Sequence, residues 1–182
     1  MNQPTDPRRK FRITGLCDLE RFARCLAVVL KPGDVLLLSG DLGAGKTTLT
    51  KKIARELGVD ENEVSSPSFT LVNIYEEGRI PLVHADLYRL GPGADLSEIG
   101  IVDAIGEEAI LIVEWAEYGQ GAFGAEALEI LLEWVDEERR DLTLRPMGAT
   151  WEARVPSLAP CMGSEGAPGH SPSILRKKWP GV

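Results

Sequence analysis

Val35-Leu36-Leu37-Leu38-Ser39-Gly40-Asp41-Leu42-Gly43-Ala44-Gly45-Lys46-Thr47-Thr48 is the stretch on which the fold turns. Its first four residues form a short apolar run, the pattern of a strand buried on both faces of a parallel sheet. Gly40 to Thr47 then fits G-x-x-x-x-G-K-[ST] at every fixed position. Lys46 to Leu57 reads as a helix, ended by Gly58 at the usual left-handed stop. Strand, glycine loop and helix in that order make a phosphate-binding loop. The glycines let the backbone curl so that N–H groups point inward at phosphate oxygens. The helix N-terminus adds partial positive charge. Lys46 is placed to reach the β- and γ-phosphates, and the Thr47 hydroxyl to ligate Mg²⁺. Asp41, Leu42, Gly43, Ala44, Gly45, Lys46, Thr47 and Thr48 are therefore the candidate nucleotide contacts. The loop implies a nucleoside triphosphate and is silent about what its energy is used for.

Working outward, Leu19, Phe22, Leu26 and Val29 recur at helical spacing, which predicts a helix over 18–30 with Asp18 as N-cap. Pro32-Gly33 breaks the chain before the first strand. Downstream, 69–75 and 80–84 are β-type runs around Glu76-Glu77-Gly78-Arg79 and read as a hairpin-like pair. Leu96 and Ile99 suggest one or two helical turns, and 109–113 is a second fully apolar strand. Leu128, Ile130, Leu132 and Trp134 alternate with Glu129 and Glu133, and Leu142 to Leu144 returns after Glu137-Glu138. That is a final antiparallel hairpin with one wet face. The expected fold is α/β: a three-layer P-loop NTPase-like domain with a central, mostly parallel sheet and added antiparallel strands. It is assigned to residues 12–155. Residues 1–11 are read as a flexible start. Residues 156–182, with five Pro and four Gly, are read as a disordered tail.

Composition sets bounds on partners. The 182 residues suit one domain, and Lys plus Arg at 20 against Asp plus Glu at 28 gives a net charge of −8. The tail holds one Glu and three basic residues, so the rest of the chain carries −10. Such acidity disfavours unaided capture of nucleic acid or an anionic membrane, both of which need clustered cations. No apolar run approaches a spanning helix and no apolar segment follows the basic start, so a cytoplasmic protein is expected. Cys17, Cys25 and Cys161 show no zinc or redox spacing, and Cys17 and Cys25 are expected to be ordinary reduced residues of the first helix region. Guanine specificity normally requires N-K-x-D after a later strand, and the chain has none. Asp103 to Gly106 spells D-x-x-G away from a strong strand and is read as coincidence, which leaves ATP.

A phosphate-loop enzyme also needs a carboxylate at the end of a neighbouring strand. Two qualify. Ile80 to Asp86 ends on Asp86; Ala109 to Glu114 ends on Glu114 and lacks Pro, which suits the sheet centre. Glu114 is accordingly assigned to the metal with Thr47. Asp86 is left to orient water or a partner group. Trp115 is read as packing. His84, a lone histidine at a strand end, is either a satisfied structural group or a participant.

Four strings converge: S-G-D-L-G-A-G-K-T-T, S-P-S-F-T-L-V at 66–72, H-A-D-L-Y-R-L at 84–90 and V-E-W at 113–115. Their order and spacing resemble the bacterial TsaE (YjeE) family, the ATPase component in forming threonylcarbamoyladenosine beside the tRNA anticodon. The resemblance covers residues 12 to 145. It implies that Lys46 and Thr47 serve phosphate and Mg²⁺, that Asp86 of the His84-Asp86-Tyr88-Arg89 segment serves hydrolysis, and that Glu114 serves the metal. It makes Ser66 to Phe69 a switch-like segment, with Ser68 where the family usually has Thr. A basic residue after the late strand falls on Arg139 beside Arg140, as a nucleotide contact, and Thr14 falls near the adenine. The implied partners are the other proteins of the threonylcarbamoyl-transfer complex, with tRNA engaged only indirectly.

The expected activity is thus Mg²⁺-dependent ATP hydrolysis, catalysed through Lys46, Asp86 and Glu114, weak in the isolated chain and raised by partners. Two rivals share the loop. A small-molecule kinase needs a second substrate pocket and usually an Arg-bearing lid, and no lid insertion stands out. A nucleotide-gated binding module would switch conformation without turnover.

Overall fold

The structure is a computed structural model that describes residues 7–93, 108–119 and 121–162. Seven strands form one sheet: β1 (Arg9–Thr14), β2 (Val35–Ser39), β3 (Val72–Tyr75), β4 (Leu82–Asp86), β5 (Ile110–Glu114), β6 (Ala127–Trp134) and β7 (Arg139–Met147). Their spatial order is β1-β7-β6-β2-β5-β4-β3. The central strands β6, β2, β5 and β4 pair in parallel. Outside them each pairing is antiparallel: β7 on β6, β1 on β7 and β3 on β4. This is the α/β architecture expected from the sequence, a parallel core with antiparallel additions. The hairpins 72–86 and 127–147 fall where the alternating runs place them.

Every residue of β4 and β5 is buried, the mark of strands covered on both faces. Because side chains alternate along a strand, the core divides in two. Leu36, Leu38, Leu82, Ile110 and Ile112 pack on one face with helices α1 (Gly15–Val29) and α2 (Lys46–Leu57). Leu37, Val83, Ala85, Leu111 and Val113 pack on the other, where the described cover is Ala116 and Phe123, with Tyr118 against them. Among the described residues the second layer is thus a 3₁₀ turn (Ala116–Gly119) and a loop. The turns expected around Leu96 and Ile99, and the D-x-x-G string at 103–106, lie outside the described residues.

Helix α1 buries Leu19, Phe22, Ala23, Leu26 and Ala27, one apolar stripe at the spacing read from the sequence. It begins earlier than expected, with Thr14 rather than Asp18 at the N-cap. The chain passes from β1 into α1 without a linker, and the Gly15 N–H donates to the Glu138 carbonyl at 2.8 Å. Asp18 instead lies in the first turn and accepts the Thr14 N–H at 2.9 Å. Helix α2 matches its expected limits. Gly58 caps it at φ 98° and donates its N–H to the Ala54 and Arg55 carbonyls.

Both composition-based boundaries fall inside packed structure. Phe11 of β1 is buried, ahead of residue 12. After β7 come α3 (Ala149–Arg154), a 3₁₀ turn (Val155–Leu158) and α4 (Ala159–Met162). Trp151, Val155 and Leu158 are buried in the core that α1 shares, with Met162 against it. Arg154 fixes this segment through both oxygens of Asp34, at 2.6 and 2.9 Å. Pro156 occupies an early position of its short helix, where no N–H is needed. Averaged proline content therefore hid the buried Leu158, three residues past the buried Val155, with Met162 packed beyond it. Among the described residues Cys17 and Cys25 are free thiols.

Candidate functional site

Ligands of open parallel sheets bind beyond the carboxyl ends of the strands. There β2 ends at Ser39 and the chain turns through Gly40, Gly43 and Gly45, at φ of 133°, 78° and 108°. A side chain at Gly40 would collide with the Leu132 carbonyl, so the loop is pressed against β6 and only glycine fits. Gly45 is the N-cap of α2, which starts on Lys46. The loop therefore combines a curled backbone with a twelve-residue helix N-terminus, an anion-binding arrangement. Leu42, Gly43, Gly45, Lys46, Thr47 and Thr48 line a cleft of about 250 Å³, closed by Ser66, Ser68, Asp86, Tyr88, Glu114 and Trp115. Of the sequence candidates, Asp41 and Ala44 stand outside this lining. Asp41 gives its carbonyl to Lys46 at 2.9 Å. Ala44 is buried beneath the loop.

The parallel register sets Asp86 of β4 directly beside Glu114 of β5. Both carboxylates are buried, and each is held differently. Glu114 accepts the Thr47 hydroxyl through Oε2 at 2.8 Å. Its Oε1 lies 2.8 Å from Nε2 of His84. Asp86 accepts Ser66 and Ser68 hydroxyls through Oδ2, at 2.7 and 2.6 Å, and the Tyr88 N–H through Oδ1 at 2.9 Å. Lys46, also buried, donates to the Gly40 carbonyl at 2.5 Å and lies 3.8 Å from the Trp115 ring centre. Burial pulls the Lys46 ammonium below the ordinary lysine range; Glu114, Glu117, Asp86 and Asp41 pull the other way. A hydroxyl and a carboxylate 2.8 Å apart beside a fixed cation suit Mg²⁺. That ion takes one or two protein oxygens and completes its shell with phosphate and water. Among the described residues no group of three or more His, Cys, Asp or Glu forms a closed metal cage.

The structure brings together Lys46, Thr47, Asp86 and Glu114, and with them Ser66 and Ser68. It does not bring Arg139 to the loop. Arg139 is exposed and paired with Asp136. The neighbouring Arg140 turns inward, stacks 3.8 Å over Trp134 and donates Nε to the Ala44 carbonyl at 3.2 Å. Strand alternation explains the choice: consecutive β7 residues point to opposite faces, and only Arg140 shares a face with the loop. Thr14 pairs with Arg139 on β1–β7, next to that contact. Arg89 is exposed and stacks on Phe69, 3.8 Å from its ring centre, which ties the 66–69 loop to the end of β4.

Trp115 was expected only to pack. It does pack, 4.9 Å from Tyr88 and 5.5 Å from Tyr118, but its face also receives Lys46. Its φ of 58° is rare for a bulky residue and aims the ring back across the cleft. Leu71, at φ 65°, is the other such residue among those described, and its N–H closes the 66–69 loop on the Pro67 carbonyl. Sequence reasoning missed Glu117, a further carboxylate near Lys46, and the roles of Ser66 and Ser68 as donors to Asp86. An acidic residue three past the strand-ending Glu114 was the only available hint of the first.

Comparison with known proteins shows what the chain is similar to. The family model described as "Threonylcarbamoyl adenosine biosynthesis protein TsaE" matches residues 14–142. The "tRNA threonylcarbamoyladenosine biosynthesis protein TsaE" of Bacillus subtilis is 35% identical over 143 residues, 79% of this chain and 89% of that protein. The protein of the same name from a Nostoc species is 41% identical over 131 residues, 69% of this chain and 78% of its own length. The crystal structure of Bacillus subtilis YdiB superposes with a TM-score of 0.69 at 32% identity, covering 83% of this chain and 93% of that one.

Proposed function

The chain belongs to the TsaE family, and from that premise we propose that it binds ATP with Mg²⁺ and hydrolyses it in the service of tRNA threonylcarbamoyladenosine formation, together with partner proteins. The observation that carries the reading is the Thr47 hydroxyl 2.8 Å from the Glu114 carboxylate, at the N-terminus of the helix that follows the glycine loop. Four further lines of support are the buried Lys46, the flanking Asp86, the family match and the fold.

The residues divide the work as follows. The loop N–H groups and Lys46 bind phosphate oxygens. Lys46 must exchange its bonds to the Gly40 and Asp41 carbonyls for that contact. Thr47 and Glu114 hold the cation, which when bound neutralises charge on the phosphate oxygens. Asp86 orients the attacking water once a Ser66 or Ser68 hydroxyl yields its place. Phosphoryl transfer relies mostly on positioning and charge stabilisation, so groups held this firmly are the main requirement. Residues 1–155 carry −10, so a basic partner supplies the surface that meets tRNA.

Phosphate release by the purified chain, alone and with the partner proteins and tRNA, tests this. The expected result is slow release alone and a large rise in the full mixture, since completion of a phosphate-loop site from outside raises rates by about 10³–10⁵. A fast rate alone, unchanged by partners, would point to a self-sufficient enzyme.

A further inference from the structure

His84 has no exposed surface, and it lies in a strand whose neighbours are aliphatic. Alternation puts it on the same face of β4 as Leu82 and Asp86, towards α2. Its Nδ1 is sealed from solvent and has no hydrogen-bond partner among the described residues. An aliphatic residue would fill this position without stranding a polar atom, so packing does not account for a histidine here. What the ring does supply is one contact: Nε2 to Glu114 Oε1 at 2.8 Å. A carboxylate only accepts, so in the neutral ring the proton sits on Nε2, and Nδ1 is the bare nitrogen.

The consequence lies on the other oxygen. Glu114 is gripped at Oε1 from within the sheet and at Oε2 by the Thr47 hydroxyl at 2.8 Å. Two donors on opposite oxygens fix the carboxylate's rotation. Because the Thr47 proton is spent on Oε2, the lone pairs of its oxygen are free to face outward. Without the His84 donor the carboxylate could rotate, and the relative placement of the two oxygens would be lost.

We propose that His84 is a positioning residue that orients Glu114 so that Glu114 and Thr47 together form the seat of the divalent cation. It touches neither nucleotide nor metal. The inference rests on the Mg²⁺–ATP reading above. Mg²⁺ demands near-ideal octahedral geometry, so it responds strongly to a misplaced carboxylate. Removing a residue that orients a metal ligand typically costs about 10–100-fold in metal affinity.

The test uses the full chain and a fluorescent ATP analogue, titrated in EDTA and then across Mg²⁺ concentrations. The variants are His84→Leu, which fills the space without a donor, and His84→Gln, whose amide N–H reaches the Nε2 position. In His84→Leu the Mg²⁺ concentration needed for half of the metal-dependent binding should rise about 10–100-fold, while metal-free binding stays within about twofold. His84→Gln should recover most of the Mg²⁺ response. Wild-type Mg²⁺ dependence in His84→Leu overturns the proposal. So does an equal loss of metal-free and metal-dependent binding, which is the signature of a merely structural role. Should His84→Leu not fold, His84→Gln decides: a folded Gln variant that has lost the Mg²⁺ response overturns the proposal. If the wild-type chain itself shows no Mg²⁺-dependent binding, the underlying functional reading has failed, and that result is distinct from either variant outcome.

Discussion

Replacing Arg140 with alanine separates two neighbouring arginines that the sequence leaves indistinguishable. The Arg140 guanidinium lies over Trp134, donates Nε to the Ala44 carbonyl at 3.2 Å and sends Nη1 to the Asp136 and Arg139 carbonyls at 2.6 and 2.9 Å. It is buried, and burial draws it below the ordinary arginine range, with Asp136 opposing. Three hydrogen bonds at roughly 0.5–1.5 kcal/mol each and a stacked cation at about 0.5–2 kcal/mol give a gross loss of a few kcal/mol. Relief of the buried charge returns part of it, so the expected net destabilisation of Arg140→Ala is about 2–4 kcal/mol. Ala44 lies inside the glycine loop, so nucleotide affinity should fall with stability. Arg139 is exposed and its side chain is held, among the described residues, by Asp136, so Arg139→Ala should shift stability by no more than about 0.5 kcal/mol. Urea unfolding of both variants, with calorimetric ATP titration, provides the comparison. Equal effects of the two substitutions, or a larger effect at Arg139, would refute the assignment of the hairpin-to-loop clamp to Arg140.

Lys46→Ala should fold but bind ATP about tenfold or more weakly by calorimetry, since a charge-assisted phosphate contact contributes roughly 1.5–3 kcal/mol. Glu114→Gln should weaken the Mg²⁺ dependence of binding, whereas Asp86→Asn should keep ATP bound and lower turnover; metal titrations showing the reverse would exchange their roles. Asp141 is held below the usual carboxylate range, chiefly by bonds from Arg12 and then Lys10. Its folded pKa is thus lower than its unfolded one, so its contribution is complete above the ordinary Asp value of about 3.9 and is lost as pH falls through the folded value. Thermal scans should therefore show Asp141→Asn less stable than wild type near neutrality, with the gap closing in acid below about pH 4.

Most of the site was legible because its parts are consecutive or close a strand. Gly40 to Thr47 declares itself by spelling, and Asp86 and Glu114 are the last polar residues of two apolar runs. The same patterns gave the parallel core and both hairpins. Three features were not legible, each for a geometric reason. The choice between Arg139 and Arg140 depends on which face of β7 each occupies, and a run of two arginines carries no phase. The engagement of Trp115 with Lys46 depends on a positive φ at the strand end, which no residue preference announces for tryptophan. The anchoring of Leu158 depends on one buried side chain in a proline-rich window, where average composition outweighs it.

The groups that a nucleotide would use are already engaged with one another. Lys46 is bonded to two carbonyls and stacked on Trp115. Asp86 uses three of about four acceptor directions on Ser66, Ser68 and Tyr88. Binding is therefore an exchange of polar contacts, and its net free energy is much smaller than a contact count suggests. The exchange falls unevenly. Moving Glu114 or Thr47 would disturb β5, which is buried throughout, and the first turn of α2. Moving Ser66 and Ser68 displaces a short loop whose tip, Phe69, is 82% exposed and stacked only on the exposed Arg89 among the ring contacts described. The 66–69 loop can therefore rearrange with little loss of buried apolar contact at its tip. Ser66 and Ser68 both bond Asp86 Oδ2, so a group that displaced either of them there would act on the segment that carries the exposed Phe69.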